Sequence, residues 1–154
     1  MNWMYDLVTN KFFVAGVSSW AIAQLMKTVI HMIVNKKFDA SRLIGDGGMP
    51  SGHSATVSSV AMMALWHFGT GSFEFALSLI LAIIVCHDAM GVRRETGKQA
   101  VVLNEIIETF NILSRDENPE VKLKEFVGHT PIQVAAGIII GILNATALYW
   151  CIAW

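Results

Sequence analysis

The sequence predicts an all-α integral membrane protein, a helical bundle of about four transmembrane helices plus an amphipathic interfacial helix. Three observations carry this. Of the 154 residues, 54% are hydrophobic and only 15% charged, against about 25% charged in soluble domains, and the mean hydropathy is +0.51. The charges are gathered into short segments between apolar runs, each near the ~20 residues that a bilayer core requires. Lysine and arginine crowd alternate connections and are missing from the others, which is how topology is written in multi-span chains. The net charge of -1 argues against a nucleic-acid partner, because no basic excess is available to neutralise a phosphate backbone.

The elements follow in order. Residues 1–11 are an aromatic, mildly amphipathic lead-in. Phe12 to Val34 is the first span, and its Gln24, Lys27 and His31 share one helical face by their three- and four-residue spacing. A lysine there either snorkels to the nearby interface or faces a cavity. Asn35 to Arg42 is a basic loop. The glycine-rich stretch from Gly45 to Ala55 cannot continue a helix through its four glycines and Pro50, so it separates two spans. The second span, His53 to Gly69, is on the short side. A tight turn, His67 to Ser72, leads to the third, Phe73 to Met90. Residues 91–97 are expected to form a basic loop. From Lys98 to Leu113, Leu103, Ile106, Ile107, Phe110 and Leu113 fall on one face, the pattern of an amphipathic helix at a surface. Ser114 to Glu120 reads as a loop. The last span, Pro131 to Trp154, has proline in its first turn, where helices accept it.

No repeat or composition shift divides the chain, so residues 1–154 are expected to be one membrane-embedded domain. The first apolar segment is long and lacks a basic flank before it, unlike a cleavable signal. Cys86 and Cys151 show no metal or redox spacing, and by helix rise they should lie too far apart for a disulfide. The basic loops follow spans one and three, so both termini are expected outside and both loops in the cytoplasm. That arrangement sends Trp3, Tyr5, Phe12, Phe13, Trp66, Phe68, Phe73, Tyr149, Trp150 and Trp154 to the outer interface, as an aromatic belt requires.

The same arrangement gathers polar groups at the cytoplasmic ends. Ser51 can cap the second span, leaving free N–H groups and a positive dipole end beside His53, a ready anion site. Asp88, Arg93 and Arg94 follow span three, and His129 precedes span four. His53, Arg93, Arg94 and His129 are therefore expected to line one cavity.

Two of these stretches resemble a known family. Gly48-Met49-Pro50-Ser51-Gly52-His53-Ser54-Ala55 looks like the Pro-Ser-Gly-His motif of the type 2 phosphatidic acid phosphatase superfamily. Gly128-His129-Thr130-Pro131-Ile132-Gln133-Val134-Ala135-Ala136-Gly137 resembles its last motif. With Gly91-Val92-Arg93-Arg94 and Gly97-Lys98-Gln99-Ala100, the chain looks over nearly its full length like the small divergent bacterial branch of that superfamily. The resemblance implies that His129 is the nucleophile, forming a phosphohistidine, and that His53 is the general acid for the leaving oxygen. It implies a phosphate pocket to which Lys27, Arg42, Gly48, Ser51, Gly52, Arg93, Arg94 and Lys124 are the candidates. The chain departs from the pattern in three places. Gln133 stands where an aspartate usually orients the nucleophile, leaving Asp88, Glu125 or Gln133 to do so. Leu123, between Lys122 and Lys124, replaces an arginine, and the usual lysine and Arg-Pro motif survives only as Lys27 and Arg42.

The expected function is thus a membrane phosphatase of lipid phosphates or pyrophosphates, working at the cytoplasmic face of the plasma membrane. A non-catalytic lipid-phosphate binder or transporter is the alternative, and a structural membrane subunit a third. The resemblance implies no cofactor; Asp46, Asp88 and Glu95 are the carboxylates to which Mg²⁺ would bind with a substrate phosphate. The expected partners are a phosphorylated lipid and the membrane, with a homo-oligomer compatible with the sequence.

Overall fold

In the computed structural model the described residues are 2–36, 48–114, 123 and 128–151, and among them six helices and no strand form. They are α1 (Trp3–Val8), α2 (Lys11–Asn35), α3 (Gly52–Phe68), α4 (Phe73–Met90), α5 (Val92–Ser114) and α6 (Pro131–Cys151). Polar side chains start several of them. The Asn10 carboxamide oxygen accepts from the N–H groups of Phe12 and Phe13 at 2.9 and 3.1 Å, and the Ser72 hydroxyl accepts from Phe75 N–H at 3.2 Å. Each offsets part of the loss of partners at a helix start, worth about 1 kcal/mol.

Among the described residues, three helical stretches are long and apolar enough to cross a membrane: Lys11–Asn35, Phe73–Phe110 and Pro131–Cys151. On α4, Leu77, Ile80, Leu81, Ile83 and Ile84 are each more than half exposed. A soluble surface rarely carries so continuous an apolar face, whereas lipid covers it at no cost. The fourth expected span is α3, only 17 residues or ~26 Å long. It is the centre of the bundle, packed against α2, α4 and α6, so most of its surroundings are protein.

Small side chains hold the centre together. A Cβ placed on Gly137 would run into the Ser51 carbonyl oxygen, and one on Gly141 into the Ala55 carbonyl oxygen. Backbone therefore meets backbone where α6 crosses α3, the small-xxx-small contact on which helices rely when hydrophobic driving force is absent. On α2 the buried stripe is Ala15, Ser19, Ala23 and Lys27, one residue per turn on one face. Deep between α2, α3 and α6, the Asn144 carboxamide donates to the hydroxyls of Ser18 and Ser19 at 2.8 Å each. The Ser59 hydroxyl donates to the Ala15 carbonyl at 3.0 Å.

At the end of the bundle where α2 begins and α3 and α6 finish, Phe12 stacks on Phe68 at 5.5 Å and Trp66 on Tyr149 at 5.8 Å. Lys11 Nζ and His67 Nε2 are hydrogen-bonded there. This gathers much of the expected aromatic belt at one end. Cys86 is buried, Cys151 is exposed and both are free thiols.

One expectation is corrected. Residues 92–97 are helical, not a loop, so the amphipathic helix starts at Val92 rather than at Lys98. Only Gly91 interrupts the chain, with φ −97 and ψ −93. Arginine and glutamate are good helix formers, and Lys98 reaches back to Glu95 at 2.6 Å; clustered charge had read as a loop although it does not break a helix. On α5, Leu103, Ile106 and Phe110 stay exposed, the apolar face the pattern foretold.

Candidate functional site

The glycine turn enters α3 from the α2 side. Gly48 takes φ +84, a backbone conformation that costs glycine nothing, and its α-carbon lies beside the Lys27 side chain. Lys27 is only 5% exposed, so it is held inside the bundle and not extended to the interface. It lines a cavity of about 180 Å³ with His31, Asn35, Gly48 and Met49 among its walls. Ser51 then caps α3: its hydroxyl oxygen accepts from Ser54 N–H at 3.3 Å and Ser54 O–H at 3.0 Å. Its own N–H donates to the Gln133 carbonyl at 3.0 Å, which ties the first turn of α3 to the first turn of α6.

Gly52 is buried against α2. A Cβ there would sit 3.2 Å from Trp20 Cδ1 and 4.0 Å from Gln24 Oε1. Gln24 Oε1 is buried and accepts no hydrogen bond among the described residues. In the sequence Trp20 is one more apolar residue of a span and Gln24 one member of its polar face, and neither carries a local signal of contact with Gly52.

His53, one residue into α3, projects from the bundle and is exposed. His129 is 5% exposed and comes from the segment just before α6. Their ring centroids are 6.4 Å apart, with ring planes at 82°. One phosphoryl group can be approached by both rings at that separation, given near-attack distances of ~3–3.5 Å. His129 is placed by its backbone: its N–H donates to the Ala89 carbonyl at 2.9 Å. Gly128, at φ +90, passes so close over Arg93 and Arg94 that a Cβ would overlap the Arg94 backbone. The elbow between α4 and α5 thus fixes the height of His129. Further back, the Asn104 carboxamide clamps Leu123 on both sides, accepting from its N–H at 2.9 Å and donating to its carbonyl at 3.0 Å.

The remaining candidates divide. Arg93 Nε donates to Asp88 Oδ2 at 2.7 Å, with both side chains exposed to about half. Asp88 is therefore engaged by Arg93, and an exposed pair of this kind contributes little to stability. Arg94 is exposed beside the Gly128 crossing. Gln133 Oε1 accepts from Thr130 N–H at 3.0 Å while Thr130 Oγ1 lies 3.4 Å from Gln133 N. This reciprocal pair is a capping box for α6, legible in Thr-Pro-Ile-Gln, and it occupies the side chain that the sequence offers as one candidate to orient His129. Arg42, Asp46, Lys124 and Glu125 lie outside the described residues. No three His, Cys, Asp or Glu side chains gather as a metal site among the described residues, and Glu95 is paired with Lys98.

Residues 8–144 match the family described as the divergent PAP2 family. The chain belongs to that family. It is 37% identical over 152 residues to an uncharacterised membrane protein, YuiD, of Bacillus subtilis (strain 168), with 93% of this chain and 96% of that protein covered. No solved structure matches it. The relative supports the bundle as that of a membrane protein.

Proposed function

We propose that the protein is a membrane phosphatase that hydrolyses a lipid phosphate or pyrophosphate through a phosphohistidine on His129. The observation that supports it most is the juxtaposition of His53 and His129, 6.4 Å apart at the capped N-terminus of α3. In the first step a ring nitrogen of His129 attacks phosphorus and the bond to the lipid oxygen breaks, while His53 gives that oxygen a proton. In the second, water attacks phosphorus, His53 takes its proton, the P–N bond breaks and phosphate leaves. Two displacements replace one harder one. The α3 N-terminus, Arg94 and Lys27 are the positive groups that would face phosphoryl oxygens as charge develops on them. The site would face the cytoplasm of the plasma membrane, with both termini outside, as the loop charges require.

The second reading, a lipid-phosphate binder without turnover, is favoured by Gln133, whose side-chain oxygen is committed to the α6 capping box. Phosphate release from phosphorylated lipids by the purified protein separates the two. His129→Ala should abolish both release and any acid-labile phosphoenzyme. His53→Ala should still phosphorylate slowly, because a proton donor contributes only ~10²–10⁴-fold. Phosphate release at the wild-type rate by His129→Ala sinks the assignment.

A further inference from the structure

We propose that Asn104 of α5 is a positioning residue for His129: it fastens the chain leading to the histidine along the side of α5. The ring is thereby set beside His53. The effect on turnover rests on the phosphatase reading; the placement of the ring does not.

Among the described helices α5 touches only α4, yet one of its faces is covered. Gly97 and Ala100 are buried, and Asn104 and Ile107 are half-buried. Their three- and four-residue spacing makes them one face, distinct from the exposed face of Leu103, Ile106 and Phe110. Asn104 is the polar member of the covered face, and it directs its carboxamide at the backbone of Leu123. Oδ1 accepts from the Leu123 N–H at 2.9 Å and Nδ2 donates to the Leu123 carbonyl at 3.0 Å. A carboxamide offers the donor and acceptor of a peptide unit. Two bonds to one residue therefore fix both the place and the direction of the chain.

A second anchor follows at Gly128. Its φ of +90 carries it over the first turn of α5, where a Cβ would overlap the Arg94 backbone. From Arg94 to Asn104 is ten residues of α5, or ~15 Å. The five residues from Leu123 to Gly128 reach at most ~17 Å. With so little length to spare, the two anchors act together, and release of Leu123 also loosens Gly128. His129 is the next residue. Its N–H donates to the Ala89 carbonyl at 2.9 Å, and one hydrogen bond fixes a distance but not a direction. The direction comes from Gly128 and, through it, from Leu123 and Asn104.

The consequence falls on the ring. His129 is 5% exposed and 6.4 Å from His53 between centroids. A shift of ~1 Å at a reacting centre can cost ~10²-fold in rate. Lys27 and the Ser51 cap belong to α2 and to the start of α3, so they stay in place when the clamp opens. Loss of Asn104 should therefore lower kcat and spare KM.

The test uses full-length protein in lipid nanodiscs and diethyl pyrocarbonate, which acylates accessible histidine rings. In Asn104→Ala, His129 should be acylated at least tenfold faster than in the wild type, and the already exposed His53 at an unchanged rate. With p-nitrophenyl phosphate, kcat should fall at least tenfold and KM stay within twofold. Thr109→Ala, which removes a hydroxyl bonded only within α5, should change neither measurement. In the wild type the Leu123 amide should exchange with deuterium at least tenfold more slowly than in an unstructured peptide. Wild-type acylation of His129 in Asn104→Ala overturns the proposal, as does a rise in KM without loss of kcat. Free exchange at Leu123 overturns it even if the variant fails to fold. A wild type without turnover would discard the phosphatase reading, while faster acylation of His129 in Asn104→Ala would still uphold the placement.

Discussion

Replacing Gly137 with alanine sets two effects of opposite sign against each other. Within an isolated helix the change gains about 1 kcal/mol. In this bundle the added Cβ would collide with the Ser51 carbonyl oxygen and lie 3.0 Å from Ser54 Cβ and 3.3 Å from Ala55 N. The first obstacle is backbone at the cap of α3, so relief requires α3 and α6 to part. Overpacking of this kind costs about 1–3 kcal/mol. Separation also stretches the 3.0 Å bond from Ser51 N–H to the Gln133 carbonyl, worth about 1 kcal/mol. The clash wins, leaving a net loss of about 1–3 kcal/mol. His53 moves with α3, and a shift of about 1 Å at a reacting centre can cost ~10²-fold in rate. Gly71→Ala is the control, because a Cβ there meets nothing within 4 Å. Denaturant unfolding in mixed micelles, followed by tryptophan fluorescence, measures stability, and phosphate release measures the displacement. A Gly137→Ala protein as stable as the wild type would refute backbone contact between α3 and α6.

Two further outcomes are expected. Asn144→Ala removes two 2.8 Å hydrogen bonds to Ser18 and Ser19; at ~0.6 kcal/mol each inside a membrane, unfolding should be easier by about 1 kcal/mol, and phosphate release, about 20 Å away along α6, should not change. Gln133→Ala should cost about 1 kcal/mol by opening the α6 capping box, whereas Gln133→Glu keeps an acceptor for Thr130, introduces a carboxylate four residues after His129 and should hold or raise the rate of phosphate release; a rate that falls below that of Gln133→Ala would remove any orienting role from this position.

Much of the fold was legible because its signals are local. The apolar runs, the Ser51 cap, the charge-free turn before Phe73 and Pro131 in a first helical turn each depend on a few adjacent residues. The loop expected at 91–97 failed for the same reason: charge marks solvent exposure, but helix continuity depends on backbone, and only Gly91 disturbs it. Of the candidate site, His53 and His129 come from the resemblance of their segments to family motifs, and the structure brings their rings to 6.4 Å. Trp20, Gln24, Asn104 and Ala89 carry no such signal, since each acts through a contact with a distant part of the chain.

By itself the sequence determined that the chain is helical and that it is built for a membrane, and it singled out His53 and His129 as the candidate site. Those follow from hydropathy, loop charge and short motifs, all readable residue by residue. Only the tertiary structure decided that the shortest span is the centre of the bundle, that Lys27 is buried beside Gly48, and that Arg93 is engaged by Asp88. It also decided that Gln133 serves the cap of α6. The physical reason is that these depend on how closely α3 and α6 approach. That distance is set by Gly137 and Gly141 against the backbone at Ser51 and Ala55, a match between surfaces 86 residues apart that no local pattern contains.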